Sequence, residues 1–138
     1  MLKFLNRNNL VFRHDRVEDS SCSADRPDFV FKTPYGVVIV ENDEKQHWNY
    51  PCECEQTIMF QIHQDFGESV HFIRFNPDQY DSETENLTLQ QRHKVLLKVL
   101  KPILNQPQDF FSQNQGLTIR YMYYDDCDGR FTVETINY

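Results

Sequence analysis

The run Gly36–Glu41, GVVIVE, constrains the fold more than any other part of the chain. Four consecutive β-branched residues, Val37 to Val40, favour an extended backbone and turn apolar side chains to both of its faces. A strand of that kind needs cover on each side. It is predicted to run through the middle of a sheet with a further layer on both faces. The chain is therefore expected to be an α/β protein, and its 138 residues suit a single domain spanning 1–138. Hydrophobic residues make up 39% of it and aromatics 14%, enough apolar material for a packed core and too much for a disordered segment.

The other elements follow from local pattern. Residues 8–14, 28–32 and 70–75 read as strands, the second joined to the central run by a Pro34–Tyr35–Gly36 turn. Between Glu55 and Phe66, the spacing of Ile58, Met59, Ile62 and Phe66 predicts a helix, with Gly67 as its stop. A longer helix is predicted over 88–104. Thr88 and Gln91 suit a capping box, and Leu89, Leu96, Val99, Leu100, Ile103 and Leu104 form its apolar stripe. Residues 117–124 and 131–137 read as a hairpin across Asp125–Gly129. The expected order is β-β-β-α-β-α-β-β, a mixed sheet flanked by helices. No repeat, low-complexity tract or Pro/Gly/Ser linker divides it.

No stretch approaches the ~20 apolar residues of a membrane span, and MLKFLNRNNLVF is a poor signal peptide. These features predict an intracellular address, cytoplasm or nucleus, and no membrane partner. The four cysteines are then expected to be free or metal-bound rather than disulfide-bonded. A net charge of −7 weighs against a nucleic-acid partner, since phosphate contacts favour a basic surface. The acids are clustered, however, and a bound cation would offset part of one cluster.

That cluster lies in RPDFVFKTPYGVVIVENDEKQH. Asp28 opens one strand; Glu41 and Asp43 close the next and, at i and i+2, share a face. A tight turn makes the two strands neighbours, so the three carboxylates converge. They repel one another unless a positive group sits among them, and a hard divalent cation is the usual occupant. A solvated acidic loop is the alternative from spacing alone.

The order Pro27-Asp28, strand, Glu41-x-Asp43 resembles the PD-(D/E)XK nuclease superfamily. Its extension through Gln46 and His47, with the later HFIRFNPDQY, resembles the very-short-patch-repair-like branch, which includes homing-endonuclease relatives and proteins of large DNA viruses. The similarity spans roughly Arg26 to Tyr80. It implies a restriction-endonuclease-like core and a virus-encoded, Mg²⁺- or Mn²⁺-dependent endonuclease acting on DNA. Asp28 and Glu41 would hold the metal, with the Asn42 carbonyl as a further candidate ligand. Asp43 stands where the superfamily has lysine, and would position or deprotonate the attacking water or hold a second ion. His47 would be a general base or phosphate donor, and Gln46 would orient water or phosphate. Lys45 is out of register to replace the missing lysine, and Glu55 suits a helix start.

Cys22, Cys52 and Cys54 are candidate ligands for a structural Zn²⁺, with Cys127 or a histidine as the fourth; free thiols are the alternative, since C-x-C is a poor zinc signature. Arg74, Trp48 and Tyr50 are candidate DNA contacts. So are Lys94, Lys98 and Lys101 with Arg92, against the simpler reading of a solvated helix face. The oligomeric expectation is monomer or homodimer. Two rival readings stand beside the nuclease: a catalytically inactive nuclease-fold module that binds nucleic acid or protein, favoured by Asp43 and the net charge, and a zinc-stabilised interaction domain.

Overall fold

The computed structural model describes residues 1–8, 10–14, 28–42, 52–76, 87–122 and 132–136, with His14, 52–56 and the last segment by backbone only. They form α1 (Leu2–Arg7), β1 (Arg13–His14), β2 (Phe29–Thr33), β3 (Gly36–Asn42), α2 (Cys52–Phe66), β4 (Val70–Phe75), α3 (Leu89–Asn105), α4 (Pro107–Gln113), β5 (Leu117–Met122) and β6 (Thr132–Ile136). One six-stranded sheet runs β1-β2-β3-β4-β5-β6 in chain order. The pairs β1–β2, β2–β3 and β5–β6 are antiparallel, whereas β3–β4 and β4–β5 are parallel.

The GVVIV run is the buried strand its composition requires, with Val37, Val38, Ile39 and Val40 all fully inaccessible. Alternation splits it between two cores. Val37 and Ile39 pack with Val30, Val70, Phe72, Leu117, Ile119 and the α2 residues Met59 and Ile62. Val38 and Val40 pack on the other face with Phe29, Phe31, Ile73, Phe75, Met122 and residues of α1, α3 and α4, among them Leu5, Leu96, Leu100 and Phe111. Each helix offers the sheet an apolar stripe and leaves its polar side to solvent.

The helix ends obey local chemistry. The Thr88 hydroxyl accepts from Gln91 N at 3.2 Å while Thr88 N donates to Gln91 Oε1 at 2.8 Å, the reciprocal capping box. Gly67 closes α2 with φ +68, a left-handed cap, and its N–H donates to the His63 carbonyl. In the β2–β3 turn, the Thr33 hydroxyl accepts from Tyr35 N and Gly36 N. Gly36 is needed for another reason: a Cβ there would lie 2.7 Å from the Phe111 ring.

Four expectations are corrected. The first strand does not run over 8–14: among the described residues only Arg13–His14 pair, and helix α1 (Leu2–Arg7) stands ahead of them and inserts Leu5 into the core. A fourth helix, α4, follows Pro107, which sets its first turn rather than merely marking the end of α3. Leu89 drops out of the apolar stripe of α3 and is 42% exposed. The helix over 55–66 starts earlier, at Cys52. The observed order is thus α-β-β-β-α-β-α-α-β-β. Among the described residues, no helix is long and apolar enough to cross a membrane.

Strands β3, β4 and β5 are successive parallel neighbours, yet α2 covers one face and α3–α4 the other. Two crossovers that step in the same direction over opposite faces must have opposite hand, so one takes the rare left hand. The consequence is local. After β3 the chain leaves toward one face, and after β4 toward the other. The carboxyl ends of β3 and β4 thus lie side by side, where α2 follows on one face and α3 on the other.

Candidate functional site

The carboxyl end of β3 carries Glu41 and Asn42, and that of β4 carries Arg74 and Phe75. The β2–β3 ladder pairs Phe29 with Val40, so Asp28 stands opposite Glu41 one step further on. Asp28 Oδ2 accepts a hydrogen bond from the Asn42 backbone N–H at 2.9 Å. The carboxylate thus takes up an N–H at the point where the ladder ends, which ties the start of β2 to the end of β3 and limits the rotation of the Asp28 side chain.

Strand alternation puts Asp28 and Glu41 on the α2 face, with Val30 and Ile39. The register extends the row: Glu41 pairs with Arg74, and Arg74 with Tyr121. Asp28, Glu41, Arg74 and Tyr121 therefore lie side by side across four strands at one level of one face. Neighbouring strands are about 4.8 Å apart, close enough for these side chains to interact. Arg74 is only 4% exposed, and its Nη1 lies 3.9 Å from Met59 Sδ of α2. A guanidinium so removed from water demands acceptors or negative charge nearby, and the register makes Glu41 its cross-strand neighbour.

On the other face of the sheet, α3 holds the end of β4. Arg92, which sequence placed among the exposed phosphate contacts, is instead buried at 5% exposure, and its Nη1 donates to the Asn76 carbonyl at 2.8 Å. Asn76 is fully buried and its N–H donates to the Met122 carbonyl. Arg92 therefore pins the chain as it leaves β4 rather than facing solvent. Lys94, Lys98 and Lys101 are exposed along α3, as their spacing implied.

Of the other sequence-derived site residues, Asp43, Gln46, His47, Trp48, Tyr50 and Cys22 lie outside the described residues, and so does Cys127. Cys52 and Cys54 fall in the opening residues of α2. Among the described residues, no group of three or more His, Cys, Asp or Glu converges as a metal cage. The structure thus joins Asp28 to the end of β3 and adds Tyr121 and the Arg74 guanidinium to their row. Tyr121 had no distinguishing signal, because an aromatic in a strand reads as core. Its place depends on which strand lies beside β4. No protein-family model matches the chain, and comparison with curated proteins and with solved structures likewise gives no match.

Proposed function

We propose that the chain is a metal-dependent endonuclease that hydrolyses phosphodiester bonds in DNA, on a restriction-endonuclease-like core of the kind its motif string resembles. The observation that carries the reading is the anchoring of Asp28 to the end of β3, opposite Glu41. The donor set fits Mg²⁺ or Mn²⁺: two carboxylates on one face suit an ion that takes one or two such ligands and keeps its other positions for water and phosphate. When bound, such an ion lowers the pKa of a water and stabilises charge on the departing oxygen.

The chain's own groups have separable tasks in this reading. Asp28 and Glu41 hold the ion, and the Asn42 N–H keeps the Asp28 carboxylate oriented. Arg74, next in the row and only 4% exposed, balances the Glu41 charge from within the fold and is not placed to reach a phosphate as its sequence position had suggested. His47 takes the proton of the attacking water, while Asp43 and Gln46 position that water; these three roles rest on sequence alone.

One observation favours the second reading, a nuclease-fold module without chemistry. Arg74 sits beside Glu41, so the row is electrostatically compensated without a metal. Incubation with supercoiled plasmid separates the two. The nuclease nicks plasmid with Mg²⁺ or Mn²⁺ and not in EDTA, and Asp28→Ala lowers the rate by at least about a hundredfold, the upper end of what loss of a supporting partner costs a metal site. No metal-dependent cleavage of plasmid, mismatched duplex, branched DNA or RNA would leave the binding module.

A further inference from the structure

Two segments of this acidic chain carry no acids. Residues 1–14 and 87–108 contain no Asp or Glu, so all 21 acidic residues lie elsewhere. These two stretches supply α1 and α3, which cover the same face of the sheet and touch through Phe4 and His93, their rings stacked at 4.8 Å. Both send their apolar sides inward, with Leu5, Leu96, Leu100 and Ile103 buried. Outward they leave Lys3 and Arg7 on α1 and Lys94, Lys98 and Lys101 on α3, all five exposed.

The three α3 lysines fall within an arc of about 60° and span about 10 Å of helix. Along one strand of B-DNA a phosphate recurs every ~3.4 Å of axis, so the ammonium groups match a run of about three phosphates. The stripe starts near the carboxyl end of β4, because Arg92, two residues before Lys94, is bonded to the Asn76 carbonyl there.

We propose that the α1–α3 face binds the phosphodiester backbone of DNA through Lys94, Lys98 and Lys101, flanked by Lys3 and Arg7, as a tether on the sheet face opposite the carboxylate row. This rests on reading DNA as the partner, but not on the row being catalytic. A face with five cations and no acid from its own segments overcomes locally the repulsion expected from a net charge of −7. Nucleic acid fits this face better than an anionic membrane. The large apolar residues exposed on these helices are the isolated Leu2 and Leu89, at 39% and 42%, with no broad apolar side left to insert.

The test is fluorescence anisotropy of a labelled duplex with the full chain in EDTA, titrated from ~0.05 to ~0.2 M salt. Lys94→Gln/Lys98→Gln/Lys101→Gln is expected to weaken binding about tenfold or more at ~0.1 M salt and to flatten the slope of log K against log salt by about 2 to 3. Lys3→Gln/Arg7→Gln is expected to flatten it by about 1 to 2. These sites are exposed, and circular dichroism checks that the variants fold. Unchanged affinity and slope in the triple variant overturn the proposal. So does a triple variant that loses binding to phosphatidylserine vesicles while keeping its affinity for DNA. Stripe-dependent binding without plasmid nicking sinks the nuclease reading and leaves this one standing; nicking with stripe-independent binding does the reverse.

Discussion

Acidification should act on this fold in large part through the buried imidazole of His71. His71 is completely inaccessible on β4, its Nδ1 2.7 Å from Thr118 Oγ1 and its ring against Phe110 at 4.8 Å, while Nε2 is buried with no hydrogen-bond partner. Burial first, and the Arg120 charge second, push its pKa down from 6.5 to about 3. The native state therefore keeps the ring neutral at pH values where the unfolded chain already binds a proton. Between those limits the unfolded state holds more protons, so stability rises with pH. The contribution is fully present above 6.5 and is lost progressively as pH falls toward the folded value. At ~1.4 kcal/mol per pH unit, lowering the pH by two units from 6.5 costs ~3 kcal/mol, a large share of a typical 5–15 kcal/mol. Urea unfolding of the wild type and His71→Gln at about pH 7 and about pH 4.5 measures it. The drop in stability between the two conditions should be ~2–3 kcal/mol larger for the wild type, because carboxylate terms common to both proteins cancel. Equal drops in the two proteins would refute the reasoning, and with it the idea that this ring stays neutral in the core.

Two further predictions concern packing and capping. Gly36→Ala forces a methyl to within 2.7 Å of the Phe111 ring and should cost about 1–3 kcal/mol, with Phe111→Leu recovering part of the loss in a double-mutant cycle. Thermal unfolding of Gly36→Ala at the wild-type temperature would mean that the ring yields freely. Thr88→Ala removes the hydroxyl half of the capping box on α3 and should lower stability by about 1 kcal/mol, with Thr88→Ser close to neutral; a loss within ±0.2 kcal/mol of zero would show that water replaces the cap.

Periodic and capping signals were legible because they are local. The Val37–Val40 run dictated a strand buried on both faces; Thr88 and Gln91 began α3, and Gly67 ended α2. Helix α1 was not legible. LKFLNR carries one residue, Leu5, that becomes fully buried, and so short a helix is stabilised by docking rather than by its own propensity. Pro102 lies inside α3, where it removes a backbone bond. The burial of Leu100 and Ile103 on either side keeps the helix continuous across it.

The candidate site divides along the same line. Sequence alone determined that acids sit at the start of one strand and the end of the next, since a short turn leaves two strands little choice but to pair. Only the tertiary structure decided that Arg74 and Tyr121 complete the row, that Arg92 is buried rather than solvent-facing, and that α1 and α3 pool their cations on one face. Those facts depend on strand order and on which face each crossover takes. Both are settled by the burial of apolar surface contributed from distant parts of the chain, a quantity that no window of neighbouring residues contains.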